Sequence, residues 1–442
     1  MIAFLSLIVL LLGGWGCAAL IFPGCKSWGE LMAHSWLLGA LLVSGSQAML
    51  GMLCMGPWPA ALLVIAPFIA ALRKARPRER REIAWPRGFL EWGLLLAILC
   101  QCFVLLRYAS TTALAWDGLV IWEAKARIAF ASGGHLPLEY FTDPQRAWSH
   151  PDYPLMLPLL ETWVYLWNRA ADQSLVRIIL PFFYVAALLL LYSGVTEISG
   201  KRWAGLLTAA LLFFVPFLTV GQFNLFTGYA DFPLAVLYLA AVISFIRYRA
   251  DRSKSQFILF AIYSGALPWM KHEGSVLWLC LICVASVEFL RERKPRLALA
   301  AAAPGVVVIA GWKLFLAAAK AIPSSDFMPV TVKNITENAG RIGTILGTLG
   351  HDLSSTSDWS ILWIVFPIAL LIISLAGKPR LAVYLAVIVL VPLALYSSVY
   401  ILSNWGSYEA HIDSSLPRLI SQVSLVALLT LGIALPASRS EG

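Results

Sequence analysis

Charge is scarce in this chain. Asp, Glu, Lys and Arg make up 13% of its 442 residues, against 60% hydrophobic ones, whereas a soluble domain needs about a quarter of its residues charged to cover its surface. A soluble globule is thereby excluded, and no stretch is both long enough and polar enough to form a separate soluble domain. From Met1 to Phe22 there is no charged residue at all. A cleavable secretory signal wants a basic start and a small-residue cleavage site; this run offers neither and reads as a span. Cysteine is also sparse, with seven in all. Cys17, Cys54, Cys100, Cys102, Cys280 and Cys283 lie in apolar runs and Cys25 just after one. Cys280 and Cys283 have C-x-x-C spacing, but no second pair or histidine completes a zinc site. They read as packing residues, and no disulfide framework is implied. There is no fixed-period repeat and no low-complexity tract. Nothing resembles a nucleic-acid module: the net charge of +9 is gathered in short basic blocks between apolar runs, the composition of cytoplasmic loops.

What is present is a succession of apolar segments, at 1–22, 35–55, 57–73, 89–109, 154–169, 175–195, 203–220, 229–246, 256–270, 274–290, 297–319, 359–376, 381–402 and 418–437. A bilayer span needs about 20 such residues. Only helices or closed barrels satisfy the backbone in lipid, and barrel strands would alternate in hydrophobicity, which these do not. The expected fold is therefore all-α, a polytopic membrane protein.

The basic blocks orient it. Residues 73–88 form the strongest cationic block and belong in the cytoplasm. If 154–169 were a full span, the blocks at 247–254 and 291–296 would fall outside. If it does not cross, every basic block falls inside, and the loops at 110–153, 221–230, 270–274, 320–357 and 403–417 all fall outside. The segment is short and contains Glu161 and Pro158, which favours an interfacial or half-buried helix. About thirteen crossings result, with the N-terminus outside and the C-terminus inside. Within the loop 320–357, Val332, Ile335, Ala339, Ile342, Leu346 and Leu349 recur at helical spacing, suggesting an amphipathic helix on the membrane surface.

The outer loops hold most of the chemically useful side chains, including five of the six histidines. Asp117 precedes a helical-looking run, Leu119–Phe130, and reads either as that helix's cap or as a general base. Lys125 and Arg127 could anchor the run to headgroups or hold a phosphate. His150-Pro151-Asp152-Tyr153-Pro154 is too stiff for ordinary helix. Asp231, followed by Pro233, is a good helix-start signature. In Lys271-His272-Glu273-Gly274, three consecutive ionisable residues exceed what a turn requires, which favours function. His411 lies in the last outer loop. Arg418 opens the final span on the side where positive charge is disfavoured, which favours a phosphate partner.

These motifs resemble the GT-C glycosyltransferases, in particular the bacterial branch related to protein mannosyltransferases and to the aminoarabinose and lipopolysaccharide-core transferases. The resemblance runs from Trp116 to about Arg249 and recurs at 268–274 and 408–418. It is carried by Trp116-Asp117-Gly118 with Trp122 and Lys125-Ala126, by His150-Pro151-Asp152-Tyr153-Pro154-Leu155, by Gly228-Tyr229-Ala230-Asp231, by Lys271-His272-Glu273-Gly274, and by Ser414-Ser415-Leu416-Pro417-Arg418. It implies a transferase in the bacterial inner membrane that moves a sugar from a polyprenyl-phosphate donor to a saccharide, lipid or protein acceptor, with inversion, at an extracytoplasmic site. Asp117 matches the family's catalytic base. Lys125, His150, Asp152, Tyr153, Asp231, Lys271, His272, Glu273, His411 and Arg418 are the expected substrate-binding residues. No cofactor is expected and a divalent metal is left open. Residues 1–73 are extra N-terminal transmembrane helices outside the resemblance, and 89–437 is the catalytic domain, with outer loops 110–153 and 320–357. Many relatives have an acidic residue after the key Asp, where this chain has Gly118, so Asp152 or Asp231 would supply a second carboxylate. The rival readings are a transporter or flippase of a lipid-linked saccharide, a polysaccharide polymerase or ligase, and a non-catalytic scaffold. Glu91 and Lys313 are the main charges expected within spans.

Overall fold

The computed structural model describes residues 2–25, 27–53, 58–74 and 85–435. Most of the cationic block at 73–88, Cys54 and the last two residues of the final apolar segment lie outside these. Among the described residues there are helices and one isolated bridge, Phe327 with Ser403, but no strand. The helices used below are α1 (Ile2–Ile21), α2 (Trp28–Met52), α3 (Trp58–Arg73), α4 (Gly88–Thr111), α5 (Ala124–Ala131), α6 (Met156–Asn168), α7 (Ile179–Ser199), α8 (Arg202–Leu211), α9 (Asp231–Asp251), α10 (Lys254–Met270), α11 (Gly274–Arg291), α12 (Pro295–Ala318), α13 (Ile342–Ser354), α14 (Leu362–Leu375), α15 (Pro379–Ser398) and α16 (Tyr408–Ala434). Nine helical segments among the described residues are long and apolar enough to cross a bilayer, and three shorter apolar ones, Trp58–Arg73, Arg202–Phe214 and Leu362–Leu375, accompany them. The protein is an all-α polytopic membrane protein.

Helix α9 is its axis. Every side chain from Asp231 to Phe245 is buried, against α7, α10, α11 and α16. Helices α4 and α12 sit at the periphery and present Phe89, Leu96, Phe103, Val307 and Leu314 outward, as lipid-facing surfaces do. Helices α1, α2 and α3 pack closely through small residues: a Cβ on Gly14 would lie 1.8 Å from the Ser35 carbonyl oxygen, and one on Gly13 2.2 Å from that of Val64. Such close approach is how helices associate without a hydrophobic drive between them. This unit is fastened to the rest, with Trp163 Nε1 donating to the Ser6 carbonyl at 3.0 Å and Gln47 Nε2 to that of Leu159 at 2.7 Å.

Several boundaries differ from the sequence reading. Helix α2 begins at Trp28 rather than 35, because Ser27 caps it by accepting from the Glu30 amide. The segment at 154–169 forms α6, 13 residues long. That is about 20 Å of helix, short of a bilayer's hydrocarbon core. Met156 to Tyr165 are all buried within the protein, enclosed by α1, α2 and α5. The segment 203–220 breaks into α8, a 3-10 turn at Leu212–Phe214 and a short helix at Pro216–Thr219, since Pro216 forces Val215 extended. The expected single helix at 332–349 is three pieces, Val332–Glu337, Ala339–Arg341 and α13. Val332, Ile335, Ile342 and Leu346 are exposed, whereas Ile345 turns into the core.

Candidate functional site

The five motif fragments meet at one end of α9. Asp231 is the hub. Its Oδ1 accepts from Lys271 Nζ at 2.8 Å and from Gln422 Nε2 at 2.6 Å, and its Oδ2 from Arg418 Nε at 3.3 Å. Asp231 therefore does not cap its helix, as the Asp-Pro signature suggested: the cap position falls on Ala230, and the Asp231 oxygens face Lys271, Gln422 and Arg418. Lys271 also pairs with Glu273 Oε1 at 3.0 Å. Burial works against its charge, but the Asp231 and Glu273 carboxylates hold its ammonium above the ordinary range. The turn that presents it is fixed by Gly274, where a Cβ would lie 2.0 Å from the Leu267 carbonyl oxygen. Tyr396 closes the network, its hydroxyl 2.8 Å from Gln422 Oε1 and 3.1 Å from the Glu273 carbonyl.

Arg418 reaches the other way to Asp117, with Nη2 2.7 Å from Oδ2, while its guanidinium lies 4.4 Å over the Tyr229 ring. The cap reading of Asp117 is likewise overturned: its side chain caps nothing, and the following residues, Gly118–Glu123, form a π-helical turn, a form that recurs at functional sites. Backbone contact accounts for the position of Asp117. Ala115 N donates to the Thr227 carbonyl at 2.9 Å. A Cβ at 118 would lie 2.2 Å from that carbonyl oxygen. An acidic side chain at 118 is thus sterically barred, and Asp231 provides the second carboxylate facing Arg418. Asp117, Asp231 and Glu273 face Lys271 and Arg418, leaving the network one carboxylate in excess.

A second layer adjoins it. Asp152 Oδ2 lies 3.2 Å from His272 Nε2, and its Oδ1 is buried without a hydrogen-bond partner. Burial works to raise the Asp152 carboxyl, but the hydrogen bond and charge of His272 and the charge of His150 carry it below its ordinary value. His150, in the left-handed region at φ 49°, stacks on Tyr153 with centroids 4.8 Å apart, and Tyr153 meets His272 edge-on at 5.0 Å. Lys125 is neither a headgroup anchor nor a free phosphate ligand. It is fully buried, its Nζ donating to the carbonyls of Ile121 at 2.9 Å and Ser149 at 2.7 Å and facing the Trp122 and Tyr153 rings. Burial brings its ammonium down to about 7, against the opposing pull of Asp152, Asp117 and Glu161. Arg127 pairs with Glu123 at 2.6 Å.

His411 does not join the ionic network. Its Nδ1 is 2.8 Å from Ser403 Oγ and its ring stacks on Trp405 at 4.3 Å, so it braces the loop before α16. The segments around 326–328 and 402–403 meet beside the site: Asp326 lies 3.6 Å from His150, and Met328 N donates to the Leu402 carbonyl at 2.7 Å. The sequence reading missed Gln422 and Tyr396. Gln422 was findable, as a lone amide in an apolar run one turn after Arg418. It also missed a second buried cluster, at the other end of α9. There Arg247 binds Glu30 and, at 2.7 Å, Glu197; His34 Nδ1 is 2.7 Å from the Tyr263 hydroxyl and His34 Nε2 3.5 Å from Glu30. Among the described residues no set of three His, Cys, Asp or Glu side chains is arranged to hold a metal ion.

Fold and site together define a multi-pass membrane protein with a buried, carboxylate-rich ionic network at one end of its central helix. Compared with protein families, curated proteins and solved structures, the chain matches none.

Proposed function

We propose that this protein is a membrane glycosyltransferase that moves a sugar from a polyprenyl-phosphate donor to an acceptor hydroxyl with inversion, working on the extracytoplasmic face of a bacterial inner membrane. The observation that supports this reading is the meeting of Asp117, Asp231, Lys271 and Arg418, which lie as much as 301 residues apart in sequence, in one partly accessible network. On this reading Asp117 takes the proton of the acceptor hydroxyl as its oxygen attacks the anomeric carbon. The bond from that carbon to the phosphate oxygen breaks with its electron pair, and Arg418 and Lys271 stabilise the charge left on the phosphate. Arg418 pairs with Asp117 Oδ2; a donor phosphate that takes over the guanidinium frees that oxygen for the proton.

One observation favours the rival reading, a transporter of a lipid-linked saccharide: Glu30, His34, Asp231, Arg247 and Arg418 are ionisable residues within or at the ends of spans. Against it, α9 between Asp231 and Arg247 is packed with side chains from Phe232 to Phe245 that are all buried and mostly apolar, so no polar route joins the two clusters along this helix. The test is sugar transfer from a polyprenyl-phosphate sugar by purified Asp117→Asn protein. Asn retains an oxygen for Arg418 but no basic carboxylate, so turnover falls by about 10²–10⁴-fold while the protein stays monodisperse in detergent. Turnover near wild type moves the base elsewhere, to Asp152 or Asp231.

A further inference from the structure

Two cavities lie at the Asp231 end of the molecule. One, of about 340 Å³, is bounded by Asp152 and His272 and belongs to the site already described. The other, of about 230 Å³, is lined by Trp58, Phe130, Trp163, Leu166, Trp167 and Arg169. Three helices build it: Trp58 opens α3, Phe130 lies near the end of α5, and the rest come from the last turns of α6 and its cap residue, Arg169. Helix α2 fixes which end this is. It starts at the Arg247 cluster, by Gln47 has reached the Leu159 carbonyl of α6, and Trp58 follows it. The three indoles meet at steep angles, Trp58 and Trp167 with centroids 6.1 Å apart at 68°, Trp163 and Trp167 5.5 Å apart at 60°. Trp163 Nε1 is committed to the Ser6 carbonyl. The Trp58 and Trp167 indole N–H groups and the Arg169 guanidinium donate to no described residue. Tryptophans at the ends of spans commonly form an aromatic belt. A belt accounts for indoles turned toward lipid. It does not account for three that enclose a cavity with a free guanidinium on its rim.

We propose that this pocket binds a ring of an acidic saccharide. An indole face is electronegative, and the C–H face of a pyranose, polarised by its oxygens, stacks on it. Hydroxyl oxygens at the ring's edge accept from the two free indole N–H groups. Arg169 takes a carboxylate or phosphate of the same saccharide, which its planar fork binds bidentately. Neighbouring charge does not cancel Arg169: Arg127 is paired with Glu123, and Asp172 Oδ1 accepts from the Ser174 amide and hydroxyl. The same cation argues against the other guest of aromatic cages, a quaternary ammonium, because like charges repel. Trp58 belongs to the first three helices, outside the region that resembles glycosyltransferases, so the pocket gives those helices a part in binding as well as in packing. Phe130 stands thirteen residues after Asp117, along the π-helical turn and α5, a path of about 20 Å at most. A glycan of several rings held in the pocket therefore extends to the Asp231 cluster. That such a glycan is the acceptor rests on the glycosyltransferase reading; the binding itself does not.

The test is isothermal titration calorimetry on the full chain in phosphatidylcholine nanodiscs, with trigalacturonate as the acidic probe and maltotriose as its neutral counterpart. Wild-type protein binds trigalacturonate saturably and maltotriose about 10–100-fold more weakly, the loss expected when a charged hydrogen bond is missing. Arg169→Gln lowers trigalacturonate affinity to the maltotriose level and leaves maltotriose unchanged. Trp58→Ala weakens both about 3–10-fold, as loss of one aromatic contact predicts. Both residues are exposed, so both variants fold, and a monodisperse elution profile checks this. The proposal is overturned if trigalacturonate does not bind saturably, or if Arg169→Gln binds it like wild type. It is overturned too if Trp58→Ala binds both probes like wild type, which would leave the indoles as a belt. Displacement at equal concentration by choline would make the pocket a cation cage, and displacement by acetate would make the sugar ring irrelevant; either result also overturns it. If Asp117→Asn loses turnover while Arg169→Gln binds trigalacturonate normally, the base assignment stands and the pocket falls. If Asp117→Asn keeps its turnover while Arg169→Gln loses binding, the pocket stands and the base assignment falls.

Discussion

Helix α9 carries a buried ionic cluster at each end, and the two are built differently. At its start a carboxylate, Asp231, is surrounded by Lys271, Arg418 and Gln422, and Arg418 passes the contact on to Asp117. At its end a cation, Arg247, is held by Glu30 and Glu197, with His34 and Tyr263 behind Glu30. Sixteen residues separate the hubs, about 24 Å of helix. The first cluster draws its members from four separate loops and helix ends and adjoins a cavity; Glu273 and Asp117 keep 22% and 17% of their side-chain surface. The second joins α2 to α9 and α10 and keeps Glu30, His34 and Arg247 almost wholly covered. Similar chemistry therefore does two jobs. The Arg247 cluster ties the first three helices to the core, with Glu197, 54% exposed, as its one open member, and the Asp231 cluster leaves Glu273 and Asp117 partly uncovered.

The comparison breaks most visibly at Arg247. Arg247→Leu leaves Glu30 buried beside His34 without its cation, and removing one partner of a buried pair costs about 3–5 kcal/mol. The expected result is a large fall in the thermal midpoint in detergent, with turnover per folded molecule unchanged. The double variant Glu30→Leu with Arg247→Leu recovers most of the loss, since exchanging a buried pair for apolar side chains is close to neutral. Lost turnover in a variant that melts like wild type would assign the Arg247 end to the reaction and erase the distinction.

The two ends were also unequally legible in the sequence. Spans were readable because lipid imposes long apolar helices, and their positions follow hydropathy. The expected sidedness of the basic blocks grouped these residues on one side, and the structure brings most of them together at one end of α9. The partners were not readable. Asp117 and Asp231 stand where helices begin, and by local pattern each reads as a cap; what recruits them is Arg418, 301 and 187 residues further on, which no local pattern reveals. Lys125 reads from the sequence as a headgroup anchor or phosphate ligand in a loop, yet the 149–153 loop folds over it. Glu30 and His34 were lost by starting the second span at 35. Their spacing of four places them on one helix face, a detectable signal of a charged stripe within a span. Arg247 was counted only as one member of a cytoplasmic basic block.

A smaller effect separates the ends by pH. Lys125, beside the Asp231 cluster, has its ammonium brought down to about 7 by burial, against about 10.4 in an unfolded chain. Between those values the unfolded chain binds the extra proton, so stability rises with pH from about 7 to about 10. Below about 7 both states are charged and the penalty is fully present. Within that window each pH unit adds at most about 1.4 kcal/mol. The thermal midpoint should therefore climb between pH 7 and pH 9.5, and Lys125→Met should be more stable at the lower pH and lose that climb. A climb of equal size in Lys125→Met would mean that another group carries it.

The smallest effect tests whether burial, rather than charge pairing as such, gives the Arg247 cluster its strength. Arg252 follows Arg247 at the end of the same helix, about 8 Å further along the axis. It also faces a glutamate, with Nη1 2.9 Å from Glu292 Oε2. The difference is solvent: the side chains of Arg252 and Glu292 are 45% and 22% exposed, against 2% and 6% for Arg247 and Glu30. Water screens the exposed pair, and its two side chains lose rotamer freedom to hold one geometry, so such pairs contribute about 0–1 kcal/mol. Lys294 Nζ, 3.0 Å from the same carboxylate, also remains to serve Glu292 when Arg252 is gone. Arg252→Gln should thus shift the thermal midpoint by a small fraction of the Arg247→Leu shift, and added salt should narrow the difference from wild type further. If Arg252→Gln melts as low as Arg247→Leu, the whole basic edge of the helix is holding the fold together, and burial of Arg247 has no special part in it.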